Sequence, residues 1–365
     1  MRASPAASWL VNAGAVMTER DGAPAVAHYG DVAAEVRAVR QAAGLMDAGH
    51  VLVFKGTVDD AIYPLDEVFA GNVANLRYGR VLHTLLADEA GLVVADAYIA
   101  CNDDEILVLC EACAPRQEVA RLLAGCPVVD VTDEVAVFCL DGPKSWGPLR
   151  DLVGRDILGM PYLSVENHDL DGTALNLLRA GKTAEFGYWI VAPAADAAKV
   201  HGRLMAAGAK YGIAPYGLDA LDLLKLDGRF FNVNREGRVA RDPLPLGLQW
   251  MMDFQKERWS GRDAILARRA AGVARKVVGF ALAEGLQGVR VGDVLRLDGD
   301  PAGEVVACGW SQGLGRDMGL ALLDRAVAWA GLDFTVDSAT GPLAATSISL
   351  PPFVPASLEV KLDEV

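Results

Sequence analysis

The stretch Gly79-Arg-Val-Leu-His-Thr-Leu-Leu-Ala-Asp-Glu-Ala-Gly-Leu-Val-Val-Ala-Asp96 holds two apolar runs, 80–87 and 92–100, joined by the four-residue turn Asp88-Glu-Ala-Gly91. Aspartate and glycine suit such a turn, because Asp bonds nearby backbone and Gly accepts a positive φ, so the stretch reads as a β-hairpin. A third strand over 105–110 continues the sheet, and helical spacing over 59–69 and 115–123 supplies cover for one face. The second hairpin strand, Gly91-Leu-Val-Val-Ala-Asp-Ala-Tyr-Ile-Ala-Cys101, is apolar apart from Asp96. An ionised carboxylate there is costly unless it is hydrogen-bonded, paired or turned to a polar cavity. Two readings of Asp96 stand on the run alone. It is a structural Asp bonded to backbone N–H groups at a bulge, or it is a general acid/base or counter-ion to a cationic substrate at a concave site.

Outward from the hairpin, strands are expected over 51–56, over 135–140 (stopped by Asp141-Gly-Pro143), and as a pair over 175–179 and 188–192 around a glycine-containing loop. Helices are expected over 196–207 and 218–226. From Lys276 onward short strands at 277–281, 294–297, 303–308, 319–323 and 333–336 describe a small all-β module, and 261–274 reads as the linker before it. The fold class is therefore α+β followed by a β barrel or sandwich.

Composition narrows the function. The chain has 365 residues, 34 Lys+Arg against 48 Asp+Glu for a net charge of −14, and 52% hydrophobic residues, which is globular material. The acidic balance argues against nucleic acid or an anionic membrane surface as partner. No apolar run reaches the ~18 residues that span a bilayer. The stretch around Trp9–Val16 is broken by Asn12 and Gly14 and makes no signal peptide, so a cytoplasmic location is expected. Four of the six cysteines, Cys101, Cys110, Cys113 and Cys126, crowd one region around a CxxC. No second pair or paired histidines complete a zinc pattern, so they read as small apolar residues and no metal is expected. Gly313-Leu-Gly315 lacks the strand-to-helix context of a dinucleotide loop.

Several segments, in order, resemble the glycine-cleavage T-protein family, which holds aminomethyltransferases, tetrahydrofolate-dependent demethylases and non-catalytic folate-binding relatives. Gly44-Leu-Met-Asp-Ala-Gly-His50 resembles G-L-x-D-x-S-H, and 79–96 is similar to G-x-x-x-Y-T-x-x-x-x-x-G-G-x-x-D-D. Leu140-Asp-Gly-Pro-Lys144 resembles L-Q-G-P-K, and Arg179-Ala-Gly-Lys-Thr-Ala-Glu-Phe-Gly-Tyr188 follows R-x-G-Y-T-G-E-x-G-F. Pro215-Tyr-Gly-Leu-Asp-Ala-Leu-Asp-Leu-Leu-Lys-Leu-Asp227 follows P-x-G-L-x-A-R-D-x-L-R-L-E, Lys256–Arg262 matches K-x-x-F-x-G-R, and Pro352-Phe-Val354 looks like the terminal P-F-V.

The resemblance implies a three-lobed ring of two mixed α/β lobes with antiparallel sheets and a C-terminal β-barrel. Its parts would be a discontinuous folate-binding lobe (1–50 and 138–265), a second lobe carrying Asp96 (51–137) and the barrel (266–365). Tetrahydrofolate is implied as co-substrate, threaded through a central hole into which Asp96 projects as the catalytic carboxylate. His83, Glu111, Lys182, Tyr188, Asp227 and Trp250 are the implied cofactor-binding residues, with Asp227 on the family's pterin-binding Glu. His83, Glu111 and Lys182 depart from the family's Tyr, Asn and Tyr, and Leu221 and Pro245 from its Arg and Glu. These departures favour methyl transfer to N5 of tetrahydrofolate from a small S-, N- or O-methyl donor. The alternatives are glycine-cleavage aminomethyl transfer, with a lipoyl carrier protein as partner, and a folate-binding scaffold without turnover.

Overall fold

A computed structural model describes residues 4–20 and 22–362. The hairpin is present: Arg80–Ala87 and Val93–Asn102 pair antiparallel, with Gly91 at φ +70° and the Asp88 side chain accepting from Leu92 N at 2.8 Å. Glu105–Ala112, Leu52–Thr57 and Val128–Asp130 complete a five-stranded antiparallel sheet in that order. The odd and even faces of these strands have different partners. Val94, Ala95, Ala97, Ile99, Ile106, Val108 and Cys110 pack under the sheet's own helices, through Ala61, Leu65 and Val119. Val81, Tyr98, Ala100, Leu107 and Leu109 face a second sheet.

That second sheet has six strands in the order Val165–Leu170, Thr173–Leu178, Gly187–Pro193, Val135–Asp141, Ala43–Asp47 and Ile213–Pro215, antiparallel except for the last pair. Met46, Val137, Cys139, Trp189 and Val191 meet the first sheet, while Leu45, Phe138, Leu140, Tyr188 and Ile190 pack beneath helices on the other side. The apolar face of the helix Leu218–Gly228 closes the seam between the sheets with Leu221 and Leu224.

The C-terminal module is a closed six-stranded antiparallel barrel. Five of its strands lie where the spacing places them, and Gly341–Ile348 is the sixth, closing the barrel against both Asp333–Ser338 and Arg275–Leu282. The stretch expected as a linker is instead the helix Arg262–Ala271. Ile265 is its buried anchor, and Arg268 donates to the carbonyls of Ala90 (2.7 Å) and Gly91 (2.8 Å), which fixes the helix on the hairpin turn. The chain end leaves the barrel again, and Val360 and Leu362 pack on the core beneath the six-stranded sheet.

Candidate functional site

Register determines what gathers around Asp96. It pairs with Leu85 on one side and Glu111 on the other, and paired residues share a sheet face. Two positions away on the same face lie His83 and Tyr98, themselves a register pair. The carboxylates of Asp96 and Glu111 therefore point into the seam between the two sheets. There they meet cations from the opposite side. Lys182, on the loop between Thr173–Leu178 and Gly187–Pro193, donates from Nζ to Asp96 Oδ2 at 2.8 Å and to Glu111 Oε2. Lys225, on the helix Leu218–Gly228, donates to Glu111 Oε1 at 2.8 Å. His83 Nε2 lies 2.6 Å from Asp96 Oδ1, and His50 Nε2 lies 4.0 Å from Glu111 Oε1. The Lys182 ammonium stands over the rings of Tyr98 (4.9 Å to centroid) and Trp189 (5.6 Å).

All four charged groups are buried, so their protonation rests on one another. Burial pushes the Asp96 carboxyl up, but Lys182 and His83 outweigh it and hold the group below its ordinary value. Glu111 is held well below the usual carboxylate range, because Lys182 and Lys225 together outweigh the same burial. Burial lowers Lys182, and the two carboxylates more than reverse that. Asp96, Glu111 and Lys182 thus hold one another in their charged forms, and Lys225 donates to the second oxygen of Glu111.

Of the residues expected at the site, His83, Glu111 and Lys182 join Asp96. Tyr188 does not: alternation along Gly187–Pro193 sends it into the core on the far face, with the Arg179 guanidinium 4.5 Å from its ring centroid. Its neighbour Trp189 takes the place beside Lys182. Trp250 is 64% exposed and packs edge-to-face with His83, ring centroids 5.2 Å apart, so it covers the buried histidine on the solvent side. Asp227 forms a separate buried centre. Arg40 donates to its Oδ1, Ser311 Oγ and Gly313 N each approach Oδ2 at 3.3 Å, and the Arg40 guanidinium lies 4.4 Å from the Phe353 ring centroid. Burial is the leading cause of a raised Asp227 pKa. Gly313, singled out by its glycine pattern, is thus part of a junction between helix and barrel.

The expectation that Asp96 projects into an open hole does not hold in this conformation. The side chain is 1% exposed, with one oxygen on His83 and the other on Lys182. A cavity of about 540 Å³ is lined by His50, Ala112, Cys113, Arg116 and Arg238 among others; Asp96 and Glu111 do not line it, and His50, 4.0 Å from Glu111, is the residue common to cavity and cluster. Lys225, His50, Tyr98 and Trp189 are the members of the site that sequence reasoning missed. Lys225 and His50 lie within the quoted motifs, and Trp189 is one residue from Tyr188.

Among the described residues no group of three or more His, Cys, Asp or Glu forms a metal-binding cluster, and no two of the six cysteines are joined in a disulfide. Cys110 lies in the core under the first sheet, where burial pushes its thiol up to about 12. Among the described residues no helix is long and apolar enough to cross a membrane.

Comparison with known proteins agrees with this architecture. Residues 6–256 match the family model for the GCVT N-terminal domain, and residues 275–354 match the glycine cleavage T-protein C-terminal barrel domain. The chain is 31% identical to an aminomethyltransferase of Frankia alni, covering 98% of this chain and 99% of that one. It is 27% identical to an aminomethyltransferase of Halothermothrix orenii, covering 93% and 96%. The crystal structure of glycine cleavage system aminomethyltransferase T from Bartonella henselae superposes with a TM-score of 0.83 over 97% of this chain and 98% of that one, at 20% identity, a likeness of fold.

Proposed function

Since the chain belongs to the glycine-cleavage T-protein family, whose co-substrate is tetrahydrofolate, we propose that it transfers a one-carbon unit to N5 of tetrahydrofolate at Asp96. The aminomethyl group of a lipoyl carrier is the unit that the relatives' names favour. The observation that carries this reading is a paired, ionised Asp96 in mid-strand at the seam of two sheets that both fall within the matched family model.

The residues present fit such a substrate. The cavity of about 540 Å³ is within the range of small-molecule sites, and its wall carries Arg238 and Arg116, the latter ion-paired with Asp130 and Asp133. Tetrahydrofolate would supply the nucleophile, N5. This chain supplies a fixed carboxylate that orients the reacting groups, its charge balanced by Lys182 in a low-dielectric seam. Asp96 is held ionised by Lys182, and His83, bonded to it at 2.6 Å, provides a carrier for the proton that N5 gives up.

A second reading, methyl transfer from a small S-, N- or O-methyl donor, is favoured by the Lys182 ammonium standing at the proposed reacting carboxylate. The two separate by product. The protein is incubated with tetrahydrofolate and either an aminomethylated lipoyl carrier or small methyl donors, and folates are read by mass. Methylene-tetrahydrofolate from the carrier supports the first reading, and methyl-tetrahydrofolate from a small donor the second. Asp96→Asn lowers turnover by about 10²–10⁴-fold while tetrahydrofolate still raises the melting temperature. Unchanged turnover removes Asp96 from the reaction, and no thermal shift of the wild type with tetrahydrofolate removes the function.

A further inference from the structure

Two carboxylates and two aromatic faces around one ammonium make the recognition pattern of a cation-binding site. Here the guest is the chain's own Lys182: its Nζ bonds Asp96 Oδ2 at 2.8 Å and Glu111 Oε2, and lies 4.9 and 5.6 Å from the ring centroids of Tyr98 and Trp189. The remaining carboxylate oxygens are also engaged, Asp96 Oδ1 by His83 at 2.6 Å and Glu111 Oε1 by Lys225 at 2.8 Å. No negative charge is left over in the cluster. A second cation brought against Asp96 would meet the Lys182 ammonium at close range in a seam from which water is excluded.

We propose that Lys182 is the residue that sets donor charge at this site. The donor presents a transferring atom without fixed positive charge, such as an unprotonated amine, a thioether or an ether. Quaternary ammonium and sulfonium donors are refused because the cation position is already filled. The inference deepens the one-carbon reading and rests on it for the word donor; the self-filled cation site rests on the geometry alone. For an aminomethyl donor the same charge favours binding of the unprotonated amine over its ammonium form.

The test uses the full chain and two arms. Lys182→Ala deletes the atoms Cγ, Cδ, Cε and Nζ, which are those of n-propylammonium. Calorimetry with n-propylammonium chloride and with 1-propanol, its neutral counterpart, then reads the cation site without any turnover. The ammonium should bind K182A at least about tenfold more tightly than it binds wild type, and 1-propanol should show no such gain. Equal affinity of the ammonium for both proteins, or an equal gain for 1-propanol, overturns the proposal. Where K182A does not fold, Lys182→Met keeps the stem and vacates Nζ alone, and the same comparison between variant and wild type is made with ammonium chloride. In the second arm, donors differing only in fixed charge (a thioether against its S-methyl sulfonium) are compared by kcat/KM. Wild type and Lys182→Arg should both prefer the neutral donor, and K182M should shift that ratio toward the cation by at least about tenfold. An unmoved ratio with turnover intact also overturns the proposal. A wild type whose melting temperature ignores tetrahydrofolate marks failure of the one-carbon reading instead, and the calorimetric arm still decides the cation site.

Discussion

Replacing Glu111 by Gln leaves three buried charges, Asp96, Lys182 and Lys225, with a net charge of +1 in a seam where each group is at most 3% exposed. Replacing Lys225 by Met leaves the opposite imbalance, −1. Removing one partner of a buried pair costs about 3–5 kcal/mol, most of it the exposure of the survivor's charge to a medium that cannot solvate it. For 365 residues the unfolding entropy is roughly 0.8 kcal/mol per degree, so each single variant should melt about 4–6 °C below wild type. The double variant E111Q/K225M restores neutrality. It keeps the Lys182–Asp96 bond at 2.8 Å, and the Gln amide oxygen can still accept from Lys182. Its loss should fall short of the sum of the singles by at least about 2 kcal/mol, or about 3 °C. Differential scanning calorimetry of the four proteins in one buffer near pH 7 measures this. If the double variant loses as much as both singles together, the charges act independently and the neutrality argument is wrong.

Asp141 offers a pH test of a different kind. Burial raises its carboxyl from 3.8 to about 6, and its acceptor bonds from Tyr216 (2.6 Å) and Thr183 (3.1 Å) do not offset that. With the folded value above the unfolded one, the native state binds the extra proton. Stability from this group therefore falls as pH rises from about 4 to about 6, and about 3 kcal/mol stays lost above that window. Asp141→Asn should flatten this limb of the melting curve against pH and raise the melting temperature at pH 8; an unchanged slope would exclude Asp141 as its source. Gly187 tests the loop that carries Lys182. A Cβ there would lie 2.6 Å from Gly181 Cα and 2.7 Å from Ala180 O, both backbone, so Gly187→Ala must displace the loop and should cost about 1–3 kcal/mol by thermal melting.

The features legible in the sequence were those with a strong local cause. The hairpin at 80–102 announced itself through its turn, and the barrel strands through their spacing. The strand Gly341–Ile348 was not legible because its inward positions, Leu343, Ala345 and Ser347, alternate with Ala344 and Thr346, so the period-2 contrast is faint. The helix Arg262–Ala271 reads as a linker because Ile265 is its single buried anchor, and apart from Leu266 the rest is charge and alanine. At the site, Asp96 stood out as the one carboxylate in an apolar strand. His83, Glu111, Lys182 and Tyr188 came only with the resemblance, because Lys182 is 86 positions from Asp96 and only the packing of two sheets brings it near; Lys225, 129 positions away, was not singled out. Trp189 rather than Tyr188 faces the seam because the phase of a strand's alternation is set by its neighbours in the sheet.

The helix Leu218–Gly228 shows why Asp227 belongs to the framework rather than to Asp96. Nine of its eleven residues are buried, so it is a helix with no solvent face, and its polar side chains must find partners inside the protein. Lys225 and Asp227 are two positions apart, about 200° around the axis, and so leave the helix in nearly opposite directions. Lys225 crosses to Glu111 in the seam, and Asp227 crosses to Arg40, Ser311 and Gly313 at the barrel. Leu221 and Leu224 join the core between the sheets, while Leu226 joins the apolar cluster of the barrel. The helix is thereby fixed on two sides by charge and on two by packing. One helix thus joins the seam at Glu111, through Lys225, to the barrel, through Asp227.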